Sequence, residues 1–329
     1  MLNRRDAKAA WRLPRVHFLM KVFVAGATGV IGRRVIPLLV GSGAEVTGVA
    51  RSSEKAKQLK RQGARPVTVS LFDPAAVESA VAGHDVVINM ATKIPSGMRV
   101  FAPGAFNENI RIRQEASQNL ASAAIATRAR RFIQESFSPA YPDRGDAWID
   151  ESVPIEPAKY IESVRDAESA ATEFTRSGGT GVVLRFSMFY GPDSSLTLDM
   201  LSSVRSRFAP TFGGPDAYMS AIYTDDAASA VLAALSVPAG AYNVTDDEPI
   251  RRREAFNLLA KAMGVRPPRI MPRWLTKAFG SVGDALGRSH RISNARFRNA
   301  SGWAPKVRSV REGWPLLLSE IKGATSAAA

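Results

Sequence analysis

Gly26, Gly29 and Gly32 recur three residues apart, behind a short apolar run (Val22-Phe23-Val24-Ala25) and ahead of Val30, Ile31, Val35, Ile36, Leu38 and Leu39 at helical spacing. Glycines so spaced on a strand-to-helix turn can hold a phosphate. The first permits the tight turn, and the second lets an anion approach the backbone. The third lets helix and strand pack closely while the helix N-terminus faces the charge. The stretch from Gly26 through Thr28, Gly29, Val30 and Ile31 to Gly32 therefore reads as a dinucleotide-binding turn.

Other chemistries find little support. The chain has no cysteine, hence no thiol nucleophile, disulfide or thiolate metal site. Its three histidines, His17, His84 and His290, are too scattered to outline a metal site, and no metal is expected. His84, in Gly83-His84-Asp85, reads as a turn residue. A net charge of +14 raises the question of nucleic acid. Yet the basic residues fall in small separate groups, at 111–113, 128–131, 251–253 and 288–298, without interleaved aromatics to stack bases. The charge suits anionic small molecules better. No run approaches the roughly 20 apolar residues of a membrane span, and no signal-peptide pattern precedes the first strand. The expected setting is cytoplasmic, with a small-molecule substrate and neither nucleic acid nor membrane as partner.

The elements that would position the glycine turn alternate regularly. Strand-like runs at 21–25, 45–50, 65–69, 86–90, 131–134, 181–186 and 241–244 are separated by helix-like ones, the pattern of an α/β fold with a Rossmann-type doubly wound parallel sheet. Asp73-Pro74 reads as an N-cap followed by proline at the first helical position. With 329 residues, 45% of them hydrophobic, the chain can bury a large core. The expected division is a cofactor-binding domain over 20–190 and 221–245, and a smaller mixed α/β substrate lobe over 191–220 and 246–323. A tail over 324–329 is expected to be disordered. Residues 1–19 read as an extension, disordered or untranslated, since Met20 stands immediately before the first strand.

GATGVIG at Gly26, ESFSPAY at Glu135, YIESVRDAE at Tyr160, LRFSMFYGP at Leu184, IYTDDAASAV at Ile222 and GWAP at Gly302 together resemble the extended short-chain dehydrogenase/reductases, in their NAD-dependent epimerase/dehydratase branch. The match runs in order from Met20 to about Ile321. The resemblance implies a nicotinamide cofactor with Ala91 and Thr92 beside it, Asn109 at the family's helix asparagine, and a substrate cleft between two lobes. Within that cleft it makes Arg185, Tyr190, Met219, Arg288 and Arg291 the expected substrate contacts. In proteins it resembles, the helices after the fourth and fifth strands often form the interface of a homodimer, while the chain itself leaves its oligomeric state open.

Charge bears on which cofactor. An NAD site typically ends its second strand with an acidic residue that accepts from the ribose hydroxyls. Here that strand runs into Arg51-Ser52-Ser53, with Lys55 close behind, and a guanidinium suits a 2′-phosphate. NADP is the expected cofactor, with NAD the alternative. Ser70 stands where the family usually has an adenine-contacting aspartate.

The catalytic set departs from the resemblance. Aligning on Tyr141 puts Phe137 at the family's Ser/Thr position, with Ser136 and Ser138 on either side, and Val164 replaces the lysine four residues after Tyr160. Tyr160 is the expected catalytic residue, aided by Ser136 or Ser138. Without a nearby cation a phenol stays neutral at pH 7, which serves carbonyl reduction better than alcohol oxidation. An NADPH-dependent reductase of a small carbonyl compound is the favoured expectation. A cofactor-sensing regulator and a nucleotide-sugar epimerase or dehydratase stay open. Against the last, Met219 stands where sugar-nucleotide members usually carry an arginine for the diphosphate.

Overall fold

The structure, a computed structural model, describes residues 20–95, 97–209, 214–270 and 280–328. The expected extension over 1–19 lies outside these, as do 210–213 and 271–279 of the expected second lobe.

Seven strands form one parallel sheet: β1 (Lys21–Ala25), β2 (Glu45–Val49), β3 (Arg65–Val67), β4 (Val86–Asn89), β5 (Arg131–Phe137), β6 (Thr180–Phe186) and β7 (Gly240–Val244). Their spatial order is β7-β6-β5-β4-β1-β2-β3. The order reverses between β1 and β4, so a crevice opens beyond their carboxyl ends. Alternation along each strand sends side chains to opposite faces. Val22, Val24, Val86, Ile88, Ile133, Val182 and Leu184 face one layer, which contains α1 (Gly32–Gly41) and α2 (Ser53–Arg61). Phe23, Ala25, Val87, Phe132 and Val183 face the other, made of α3 (Pro74–Val81), α4 (107–126) and α5 (Val164–Arg176). Asp73 caps α3, accepting from Ala76 N–H at 3.1 Å.

α4 is not uniform. It is α-helical over Asn107–Arg111, widens to a π-helix over Ile112–Ala116 and returns to α over Ser117–Ala126. The widened segment buries Arg113, 2% exposed, against Glu135 of β5 at 3.2 Å.

Three details differ from the sequence expectation. β5 continues past Gln134 to Phe137 because Glu135, Ser136 and Phe137 pair with Leu184, Arg185 and Phe186; two polar residues hid the strand. Ala221–Tyr223, within the stretch expected in the cofactor-binding domain, pairs with Met188–Tyr190 and not with the main sheet. The terminal helix, Val310–Ala328, keeps helical backbone over 324–328 of the expected tail, and 329 lies outside the described residues. A further core gathers Tyr190, Leu201, Val204, Met219, Tyr223, Leu259, Trp314 and Leu317.

His84 is buried rather than a plain turn residue, its ring nitrogens bonded to Val81 O and Thr47 Oγ1. His290 is buried with Nε2 on Tyr141 O at 3.0 Å, and burial pushes its pKa down to about 4. The unfolded chain takes up that proton near pH 6.5, but the fold resists until about 4. His290 therefore contributes stability that is complete above pH 6.5 and is lost as the pH falls toward 4, roughly 3 kcal/mol in all. Melting curves between those pH values should fall less steeply for His290→Asn than for the parent. Parallel slopes would show that His290 titrates normally.

Candidate active site

β1 delivers the glycine turn to the sheet's carboxyl edge. Gly26 has φ +77°, and a Cβ there would lie 2.4 Å from Met90 C, so the turn lies against the exit of β4. A Cβ on Gly32 would lie 2.1 Å from Gly26 O, which lets α1 begin directly against the turn. Gly29 is exposed, and a Cβ there would meet only Gly26 O, at 3.3 Å, so the middle of the turn stays open. Thr28 and Val30 are half-buried, while Ile31 sends its side chain into the core and can offer only backbone. The first-turn N–H groups of a helix lack intrahelical acceptors. The turn is thus a cradle that side chains would fill, and it fits a cofactor pyrophosphate.

The neighbouring expected cofactor residues divide by exposure. Arg51 stands at the end of β2, its side chain 74% exposed and 3.6 Å from Glu108. Ser70 is exposed, its Oγ accepting from Phe72 N–H at 3.3 Å. Ala91 and Thr92 are half-buried, and Ala91 N–H donates to Asn89 Oδ1. Asn109 is 1% exposed, and its Oδ1 accepts from Lys93 N–H at 2.8 Å. Asn109 therefore shapes the loop after β4.

Phe106, just ahead of α4, lies edge-on to Tyr160 with ring centroids 4.9 Å apart. Tyr160 belongs to a 3₁₀ turn, Lys159–Ile161, and α5 starts only at Val164, so the tyrosine precedes the helix expected to carry it. Val164 is fully buried in a small apolar cluster that Phe137 and Tyr160 pack against. Burial pushes the Tyr160 pKa up to about 12, although the charges of Arg288 and Arg113 pull the other way. Tyr160 and Lys159 line a cleft of about 500 Å³ with residues from 100–110 and 281–282.

The two serines are elsewhere. Ser136 is fully buried and donates to Glu168 Oε1 at 2.6 Å. Ser138 is 1% exposed, with its Oγ 3.1 Å from Ser187 Oγ. Neither offers a hydroxyl to the cleft, so their expected part in orienting a carbonyl is corrected. Glu168 binds Arg185 through Oε1 at 2.9 Å and Oε2 at 2.7 Å, and Arg185 also donates to Tyr141 OH. Arg185 is therefore an interior strut and not a substrate contact.

The other expected substrate residues also scatter. Tyr190 is buried between Tyr223 and Trp314, and Met219 lies in that same core. Arg291 lies between the rings of Trp148 and Tyr218. Arg288 alone of the five acts on the phenol, while donating to the carbonyls of Tyr141 and Glu156. Lys159, Phe106 and Arg113 were missed. The adjacency of Lys159 to Tyr160 was the one sequence signal, since the others depend on how the chain folds back.

The family model for the NAD-dependent epimerase/dehydratases matches residues 22–245. The chain belongs to that family. As an NAD-dependent epimerase/dehydratase family member it is an NAD(P)-dependent enzyme of the oxidoreductase and epimerase type. It is 31% identical over 306 residues to a 3-diazoavenalumate denitrifying reductase of a Streptomyces species, covering 89% of this chain and 99% of that one. It is 28% identical over 293 residues to a 2-alkyl-3-oxoalkanoate reductase of Shewanella oneidensis, covering 83% and 73%. Among solved structures, UDP-glucose 4-epimerase of Thermotoga maritima with UDP-glucose shares the fold, at TM-score 0.76 and 22% identity over 93% of this chain and all of that one. No helix among the described residues is long and apolar enough to cross a membrane.

Proposed function

We propose that this family member is an NADPH-dependent reductase of a small carbonyl compound, with Tyr160 as the proton donor. The observation that carries the reading is the state of that phenol. Burial holds its pKa near 12, and Val164 fills the place where the family resemblance expects a lysine with packed hydrocarbon. A phenol kept neutral is an acid, which is what a carbonyl oxygen requires as it becomes an alcohol. Bound at the glycine cradle, NADPH would supply the hydride. The chain supplies the rest: Tyr160 gives its proton to the carbonyl oxygen, and the charges of Arg288 and Arg113 offset the phenolate left behind until solvent reprotonates it. Phe106 packs edge-on against the phenol and holds its ring in place. The reductase names of two relatives support the direction.

Consumption of NADPH across a panel of aldehydes and ketones tests the reading. Tight NADPH binding with no turnover on any of them would turn it toward a cofactor sensor. The choice of NADPH over NADH rests on Arg51. Its exposed pairing with Glu108 is weak, so the guanidinium is free to exchange that carboxylate for a 2′-phosphate. Arg51→Ala should weaken NADPH binding by about tenfold or more, the scale of one charge-assisted hydrogen bond, and leave NADH unchanged. Calorimetry reads both, and an unchanged ratio would remove Arg51 from the cofactor site.

A further inference from the structure

The cleft wall supplied by Val100, Ala102, Gly104 and Ala105 has little packing of its own to hold it. None of the described side chains over 97–105 is buried. The backbone bonds of the segment are local, Ala102 N–H to Arg99 O at 3.0 Å and Ala105 N–H to Ala102 O at 3.1 Å. Its far end is fixed, because Phe106 is buried edge-on to the Tyr160 ring. Its near end is Gly97, in a left-handed turn at φ +59°, whose N–H donates to Asp199 Oδ2 at 2.8 Å across 102 residues of sequence. The helix that carries Asp199, α6 (Ser195–Arg205), is firmly seated, with Leu201 and Val204 in the core around Tyr190 and Trp314. Just ahead of it Asp193 pairs with Arg33 at 2.6 Å and Arg34 at 2.8 Å, and Gly191 N–H donates to Thr197 Oγ1 at 3.2 Å. Among the described residues, the Gly97–Asp199 bond is the one hydrogen bond that joins 97–105 to a distant part of the chain, and it ties a weakly packed wall to a firm post.

We infer that Asp199 is a positioning residue for the cleft: its carboxylate, through Gly97, holds Val100, Ala102 and Ala105 in the place where they meet a bound substrate. A segment with few buried contacts opens at low cost. Without Asp199 the substrate has to order that wall itself, and a site whose competent form is only partly populated binds more weakly by that fraction. Once the wall is in place, the groups around Tyr160 are the same as in the parent. The loss therefore falls on KM and not on kcat. The effect on KM rests on the reading of the cleft as that of a carbonyl reductase, whereas the hold of Asp199 on the wall is independent of it.

Amide hydrogen exchange on the full chain reads that hold without any substrate. In Asp199→Ala the amides of Gly97, Ala102 and Ala105 should exchange about fivefold faster than in the parent, the scale of one net hydrogen bond, with those of 195–205 unchanged. Asp199→Asn, whose amide oxygen still accepts from Gly97 N–H, should restore most of the protection. Equal exchange over 97–105 in the parent and Asp199→Ala would overturn the inference. In the reduction of benzaldehyde by NADPH, Asp199→Ala should raise KM by a similar factor, about fivefold, with kcat and NADPH affinity held and Asp199→Asn close to the parent. Faster exchange with an unchanged KM would mean that no substrate feels the tether, and would overturn the positioning role. A parent that reduces neither benzaldehyde nor any other carbonyl compound, with exchange over 97–105 still set by Asp199, would remove the reductase reading and uphold the hold on the wall.

Discussion

Tyr160→Phe lowers carbonyl reduction on the order of 10² to 10⁴-fold, the usual worth of a positioned acid, while NADPH binds as tightly as to the parent. The substitution removes one oxygen and keeps the ring, so the edge-on contact with Phe106 and the packing onto the Val164 cluster persist. Binding and folding therefore serve as internal controls. The pH dependence gives a second signature with a definite sign. The phenol is the active form for reduction, and its pKa near 12 keeps it protonated across the working range, so Tyr160 should add no falling limb to the reductive rate below about pH 10. Oxidation of the product alcohol needs the phenolate, present in about one molecule in 10⁵ at pH 7, and should climb steadily with pH. A reductive rate that survives Tyr160→Phe, or that falls with a midpoint near neutrality in the parent alone, would place the acid elsewhere.

Glu168→Ala should cost about 3–5 kcal/mol of stability, the penalty for stranding a buried charge. Glu168 and Arg185 have side chains only 13% and 10% exposed, and both carboxylate oxygens are engaged by the guanidinium. Removing the carboxylate leaves Arg185 inside the protein with only the Tyr141 hydroxyl, and leaves Ser136 without its acceptor. Chemical denaturation reads the loss directly. The double variant Glu168→Leu with Arg185→Met, which removes the charges together, should recover most of it, because a buried pair is often replaceable by packed hydrocarbon. A loss below about 1 kcal/mol in Glu168→Ala would mean that water reaches the pair and screens it.

The sheet was legible because its strands are near-continuous apolar runs and its turn needs glycine for steric reasons that sequence displays. Gly26 and Gly32 are constrained by atoms of the neighbouring backbone, so their spacing carried the geometry. Of the residues proposed for catalysis, Tyr160 alone was singled out by the sequence and also lines the cleft. Ser136 and Ser138 were read from their position at the end of a strand, but a hydroxyl is useful only where it points, and their partners, Glu168 and Ser187, lie 32 and 49 residues away. Arg185 misled for the same reason. An arginine in a motif could equally reach a ligand or neutralise an interior carboxylate, and nothing local to Leu184-Arg185-Phe186 reveals Glu168. The cleft was hidden because its walls come from 100–110, 159–160 and 281–282, three segments that have no periodicity in common.

The π segment of α4 acts as a phase shifter. At about 100° per residue, one residue more or fewer between the two α-helical stretches rotates one end of the helix against the other. Leu120, Ala121 and Ala124 anchor the far end in the core, so any such change is expressed at the near end, where Asn109 holds the loop after β4 and Ile110 lines the cleft. A one-residue length change in Ile112–Ala116 would thus keep the hydrophobic inventory of the domain and re-aim the cleft wall that Ile110 supplies. This chain has here a place where the shape of the cleft is one codon of length away, without a substitution among the residues that line it.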